Sequence, residues 1–115
     1  MPLLRLQTNA PLDGDQTGSL MAAVSARAAQ LLSKPESYMM VLVEPGVGLM
    51  MGGSSDPAAF FEVRSIGAIS PDQAKALSKS VSEILEEKLK IPPSRVYSNY
   101  AGWERNMWGH NGSTF

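Results

Sequence analysis

The 115-residue chain has no cysteine, a single histidine and no long apolar run, and each absence removes a class of function. Without cysteine there are no disulfides, thiolate nucleophiles or cysteine metal sites. With His110 as the only histidine, we expect neither a catalytic triad nor a multi-histidine metal site. No apolar run approaches the roughly 18 residues of a membrane span, and no basic leader precedes a long apolar core. We therefore expect no metal, no membrane partner and a cytoplasmic location, with any export by a route that needs no signal peptide.

The chain also has no large excess of either positive or negative charge. Ten basic and eleven acidic residues give a formal net charge of -1, and the basic residues are scattered. Proteins that bind nucleic acid usually cluster Lys and Arg on one surface, so we expect no nucleic-acid partner. The length fits one domain, residues 1–115, which can bury about two-thirds of the surface that the unfolded chain exposes.

Pro2 directly follows the initiator methionine, and removal of Met1 would leave it as a terminal secondary amine. An α-amino group titrates at about 7.7 to 8.0, and burial in apolar surroundings lowers its pKa by disfavouring the charged form. Such an amine would be a general base near neutral pH, where proton transfer is most efficient. The alternative is that Pro2 only begins an edge strand, and Pro2 alone favours that simpler interpretation. If Met1 is retained, the nitrogen is a tertiary amide without useful basicity.

A repeat at an offset of 57 residues organises the chain. Segment 2–8 matches segment 59–65 in most of its apolar, charged and hydroxyl positions, and segment 34–37 matches segment 91–94. The apolar matches between them are Leu20 with Leu77, Val24 with Val81, and Leu32 with Leu89. One copy is too small to bury a core alone, so we interpret the two copies as halves of one domain.

Each half has the pattern of a strand, a helix and a second strand, judged from the spacing of its apolar residues. In the second half, Ser70, Pro71 and Gln73 have the pattern of a capping box at a helix start. The predicted elements are a strand over 2–8, a helix over 16–33, strands over 39–43 and 58–65, a helix from Ser70 that ends before Pro92, and a strand over 95–100.

These elements predict an α/β fold of two β-α-β units related by pseudo-twofold symmetry. Right-handed crossovers place both helices on one face of a four-stranded mixed sheet. The other face would then expose an apolar set, which we predict to be Met40, Leu42, Phe60 and Val63. Large exposed apolar surfaces usually mark interfaces, so we expect an oligomer that packs sheet face to sheet face.

Six short segments resemble, in order, the macrophage migration inhibitory factor branch of the tautomerase superfamily. They are Thr8-Asn9, Lys34-Pro35, Gly52-Gly53-Ser54-Ser55, Ser65-Ile66-Gly67, Arg95-Val96-Tyr97 with Asn99-Tyr100, and Asn111 to Phe115. The resemblance covers nearly the whole chain. It implies a homotrimer whose three sheets form a barrel, with the helices outside and a pocket at each subunit interface. It also implies keto-enol tautomerisation of phenylpyruvate-like or dopachrome-like acids without a cofactor.

The resemblance also assigns the site. It implies that Pro2 is the catalytic base, that Lys34 holds the substrate carboxylate, and that a neighbouring subunit supplies Tyr97 and Asn99. The pocket residues around the aromatic ring of the substrate would be Tyr97, Ile66, Trp108 and Phe115.

Several of these residues also have a purely structural interpretation. Lys34 could be a solvated cation at a helix C-terminus, and Ile66 could belong to the core. Tyr97 could be an ordinary half-buried aromatic residue of a strand. Of Tyr97 and Asn99, Asn99 is the stronger independent indication of a binding site, because asparagine is disfavoured in strands and needs polar partners when it is buried.

The chain departs from the family pattern at several positions. Ala58 and Phe61 stand where relatives have a Cys-x-x-Cys motif, which excludes thiol-disulfide oxidoreductase activity of that type. Leu3 stands where methionine is frequent, and Arg64 where histidine is frequent. The changed pocket rim consists of Trp103, Trp108 and His110. Substrate preference therefore does not follow from the resemblance.

Two other classes of function remain open at the level of sequence. The family resemblance allows a cytokine-like signalling ligand that binds a receptor, although no receptor-facing motif supports this. An inert trimeric scaffold is the third interpretation, and it would require Pro2, Lys34, Tyr97 and Asn99 to match the family by accident.

Overall fold

The computed structural model describes residues 1–115 and has a four-stranded mixed sheet with two helices on one face. The elements are β1 (Pro2–Thr8), α1 (Gly14–Leu32), β2 (Met40–Glu44), β3 (Ala59–Ile66), α2 (Pro71–Leu89), β4 (Val96–Trp103), β5 (Gly109–His110) and β6 (Ser113–Thr114). Short 3-10 turns occupy Glu36–Tyr38, Pro93–Arg95 and Arg105–Met107. Neither long helix is apolar enough to cross a membrane.

The sheet confirms the predicted α/β fold and its internal symmetry. Its strand order is β2-β1-β3-β4, with β1 parallel to β2, β3 parallel to β4, and β1 antiparallel to β3. Pro2 pairs with Ser65, Thr8 pairs with Ala59, and Arg5 pairs with Glu62 at the centre. When 57 is added to the β1 residue number of a pair and subtracted from its β3 residue number, the result is another pair of the same set. A pseudo-twofold axis therefore passes between β1 and β3 at the pair formed by Arg5 and Glu62.

Both helices begin with a capping box, in which two side chains satisfy backbone N–H groups that lack helical partners. The predicted box of α2 is confirmed, since Ser70 Oγ accepts from Gln73 N at 3.1 Å and Gln73 Oε1 accepts from Ser70 N at 3.0 Å. In α1, Asp13 and Gln16 form the same box at 2.7 and 3.0 Å. The sequence prediction began α1 at Gln16, two residues late, because it overlooked Asp13 as the cap.

The core lies between the helices and the sheet and contains thirteen buried apolar residues. We predicted that Val63 lies on the opposite face, and that prediction is wrong. Val63 is fully buried on the helix side with Phe61. Side chains alternate along a strand, so Val63, three residues after Phe60, must face the other way.

The sheet face opposite the helices, hereafter the open face, is partly apolar and partly charged. Met40 and Leu42 are 64% and 41% exposed there, as predicted. Between the apolar residues, Arg5 Nε donates to Glu44 Oε1 at 2.7 Å. This contact raises the pKa of Arg5, chiefly through the hydrogen bond to the Glu44 carboxylate. The open face therefore combines exposed apolar surface with charges that already have partners.

Candidate active site

Pro2 is the first residue of β1, and its side chain is fully buried. Met1, which precedes Pro2, is one of the residues that line a surface pocket of about 350 Å³. The residues that line this pocket are Met1, Lys34, Pro35, Tyr38, Ile66, Arg105 and Phe115. The structure thus brings together Lys34, Ile66 and Phe115, three of the predicted site residues, beside the N-terminal end of β1.

Lys34 reaches the pocket because of the way in which α1 ends. The C-cap Ser33 adopts the left-handed conformation, with φ of 54°, and the backbone N of Lys34 donates to Ala29 O at 3.0 Å. Pro35 then starts the 3-10 turn that carries Tyr38 to the same pocket. Lys34 forms no ion pair with any carboxylate. Its ammonium is therefore available to an anionic ligand.

A close backbone contact positions Ile66 at the end of β3. Gly67, with φ of 82°, follows it, and Gly67 N donates to Trp103 O at 2.9 Å. A Cβ built on Gly102 would lie only 2.1 Å from Gly67 O, so only glycine fits there. This contact holds the turn after β3 against β4 and keeps Ile66 at the pocket.

The C-terminal hairpin of β5 and β6 brings Phe115 back to the pocket. Phe115 N donates to Trp108 O at 3.2 Å, and Gly109 pairs with Thr114. The Phe115 ring stacks on His110, with centroids 5.3 Å apart and planes 16° from parallel. Trp108 is half-buried in this hairpin but does not line the pocket within one chain.

Tyr97 and Asn99 do not reach the pocket in the single chain. They lie on β4, where their backbone partners are Phe60 and Glu62, and both side chains are exposed on the open face. Tyr97 is 67% exposed and borders a separate cavity of about 320 Å³ with Met50, Met51 and Phe60 among its lining residues. Pro2 lies on the buried, helix-facing side of β1, whereas Tyr97 and Asn99 lie on the open face of the same sheet.

The charged side chains that line the pocket are both basic. Lys34 and Arg105 line it, and none of its lining residues is acidic. The terminal amine, carried by Met1 in the unprocessed chain, has a pKa below its ordinary value of 8.0. Burial is the larger cause and the positive charge of Lys34 is the second. Both effects favour the neutral, basic form of an amine at this end of the chain.

Sequence reasoning missed Tyr38 and Arg105 as pocket residues. Tyr38 had a usable signal, because it follows Lys34-Pro35 within one short turn. Arg105 had none, because it lies in a short 3-10 turn beyond the last predicted strand. A larger cavity of about 710 Å³ lies beside Asn9 and the C-terminal end of α2, and it contains none of the predicted site residues.

Comparison with known proteins identifies the family. All 115 residues match the family model of macrophage migration inhibitory factor. A macrophage migration inhibitory factor from Meriones unguiculatus is 36% identical over 115 residues, which is 100% of this chain and 99% of the relative. A homologue from Brugia malayi is 34% identical with the same coverage. The crystal structure of a homologue from Prochlorococcus marinus superimposes with a TM-score of 0.92 at 35% identity, covering 98% of both chains. The chain therefore belongs to the macrophage migration inhibitory factor family of the tautomerase superfamily.

Proposed function

We propose that this protein is a keto-enol tautomerase of phenylpyruvate-like or dopachrome-like acids, that it needs no cofactor, and that Pro2 is its general base after Met1 is removed. The observation that supports the proposal is the position of Pro2 at the start of β1, directly after Met1, which lines a pocket together with Lys34. In the unprocessed chain, burial and the charge of Lys34 lower the pKa of the Met1 amine, and we infer that a Pro2 amine exposed by processing meets similar surroundings. A base of this kind is matched to proton transfer near neutral pH.

The chemistry follows from the acidity of a C–H bond next to a ketone. Lys34 binds the substrate carboxylate through charge-assisted hydrogen bonds. The neutral Pro2 amine takes the proton from carbon to give an enolate, and the resulting ammonium returns the proton to oxygen. Holding the reacting atoms together supplies much of the rate enhancement, and general base catalysis adds about 10² to 10⁴.

A homotrimer would complete this site. Tyr97 and Asn99 are exposed on the open face and far from the pocket of their own chain, so they are free to act on that of a neighbour. The exposed Met40 and Leu42 on the same face favour burial between copies. In the assembly, Asn99 orients the substrate carbonyl, and the aromatic ring lies among Ile66, Tyr97, Trp108 and Phe115.

The decisive experiment combines intact-mass analysis, which establishes whether Pro2 is the terminus, with a phenylpyruvate tautomerisation assay. Pro2→Gly keeps a terminal amine but replaces the secondary amine with a primary one, and we expect kcat/KM to fall by about 100-fold or more. Pro11→Gly changes an exposed proline beyond the other end of β1 and serves as the control. A trimeric Pro2→Gly variant with the full rate would overturn the assignment.

A cytokine-like role is the second candidate, and the shared family is its only support. Binding of a receptor by a trimeric but inactive Pro2→Gly variant would separate signalling from catalysis.

A further inference from the structure

Arg105 gives the pocket a second cation in addition to Lys34. Hydrogen bonds hold its backbone, because Met107 N donates to Glu104 O at 3.0 Å and Trp108 N donates to Arg105 O at 3.2 Å. Just before this turn, Trp103 O accepts from Gly67 N. The segment that contains Arg105 is therefore hydrogen-bonded, through Trp103, to the turn after β3, and Arg105 lines the same pocket as Ile66.

The Arg105 side chain has no structural partner. Arg5 and Arg64 form ion pairs with Glu44 and Glu62, and Arg95 donates to the backbone carbonyls of a neighbouring loop. Arg105 and Arg27 form neither kind of contact, and of these two only Arg105 lines the pocket. A guanidinium that lines a pocket without an internal acceptor is suited to an anion from outside, which it can bind through two parallel hydrogen bonds.

We propose that Arg105 is a specificity-determining residue that binds a second anionic group, so that preferred substrates are aromatic oxo acids with another carboxylate on the ring. This inference rests on the proposed function, in which Lys34 takes the first carboxylate. One carboxylate neutralises only one of the two cations in a pocket without acidic residues. The pocket, about 350 Å³, lies within the size range of small-molecule sites.

Equilibrium binding tests the inference without any turnover. The probes are 3-phenylpropanoate and its derivatives with a second carboxylate at the para or the meta position of the ring, titrated calorimetrically into the processed protein. We expect at least one of the dianions to bind roughly 5- to 20-fold more tightly than the monoanion. This preference should shrink as salt is added, because the pocket is open to solvent and its charges are screened.

Variants on the same turn provide matched controls. Arg105→Gln should abolish the preference for the dianion, because it weakens binding of the dianion much more than binding of the monoanion. Arg105→Lys should retain part of the preference for the dianion, because the positive charge remains but the planar guanidinium, which can donate two parallel hydrogen bonds, is lost. Glu104→Gln removes the neighbouring charge and should keep or strengthen the preference.

The outcomes separate this inference from the proposed function. If phenylpyruvate is not tautomerised but an Arg105-dependent preference is measured, the catalytic proposal fails and only the binding of a second anionic group by Arg105 is supported. If phenylpyruvate is turned over but neither dianion binds better than the monoanion, the inference is wrong. It is also wrong if Arg105→Gln changes the oligomeric mass or weakens both ligands equally, because the residue would then be structural.

Discussion

The two halves of the molecule share an architecture and differ in chemistry. In each half, a 19-residue helix begins with a capping box, ends at a left-handed C-cap, and is followed by proline and a 3-10 turn. Three positions that match at the offset of 57 residues nevertheless hold very different side chains. They are Pro2 with Ala59, Lys34 with Ile91, and Tyr38 with Arg95.

In the second half, these positions stabilise the fold. Ile91 is fully buried in the core, where Lys34 of the first half lines the pocket. Arg95 donates to the carbonyls of Pro57, Ser54 and Asp56, which fixes the loop before β3. The repeated architecture alone therefore does not create a binding pocket. At the matching positions of the first half, Lys34 and Tyr38 line the pocket instead, and their side chains have no hydrogen-bond or ion-pair partner in the fold.

A difference in strand length also separates the halves. β2 ends at Glu44, whereas β4 continues to Trp103 and is three residues longer. The extra residues include Gly102, which contacts the turn after β3. The chain then leads into segment 104–115, which contributes Arg105 and Phe115 to the pocket. The second half therefore completes a site whose base and first cation belong to the first half.

Truncating Lys34 and Ile91, which occupy matching positions in the two halves, should give the largest changes in stability and in substrate binding. The two changes should be of different kinds. Ile91→Ala leaves a cavity in the core and should lower the free energy of unfolding by about 3 kcal/mol. Lys34→Ala should leave stability within about 0.5 kcal/mol, because the side chain has no partner in the fold. It should instead weaken substrate binding and raise KM by about 10-fold or more.

Chemical denaturation and steady-state kinetics on both variants measure these effects. Equal losses of stability at the two positions would contradict the division of roles. So would an unchanged KM in Lys34→Ala.

Gly102→Ala should have the next largest effect, since it disturbs the contact found only in the second half. The new Cβ meets the Gly67 carbonyl, so the backbone must shift, at a cost of about 2 kcal/mol. Gly18→Ala is the control. Gly18 is exposed in α1 with no atom near the new Cβ, and its match in α2 is Lys75. That change should stabilise the protein by about 0.5 to 1 kcal/mol.

Thermal unfolding of the two glycine variants tests whether Gly102→Ala lowers stability and Gly18→Ala raises it. A Gly102→Ala protein as stable as the parent would show that the turn after β3 does not depend on this contact.

Much of the fold could be predicted because local patterns and the repeat agree. The 57-residue offset reappears in the pairing of Pro2 with Ser65 and Thr8 with Ala59, and the box at Ser70 is where its sequence pattern indicated. Val63 was misplaced because the prediction grouped apolar residues by type and ignored strand alternation.

The site could be predicted only in part. Lys34, Ile66 and Phe115 line one pocket, and their roles in binding a substrate stay predictions. Arg105 was missed because residues without periodicity carry no local signal for the pocket that they line. The roles of Tyr97 and Asn99 depend on a second copy of the chain, so they stay predictions.

The central claim is that a free Pro2 amine is the base, and it is tested by comparing chains that begin at Pro2 and at Met1, each verified by intact mass. We predict that the unprocessed chain has less than about 1% of the phenylpyruvate tautomerase rate, because its Pro2 nitrogen is a tertiary amide. Only the neutral amine is a base, so the rate of the processed chain should rise with pH through a pKa below the ordinary 7.7 to 8.0. Equal rates for the two chains, or a rise only above pH 8, would contradict the account.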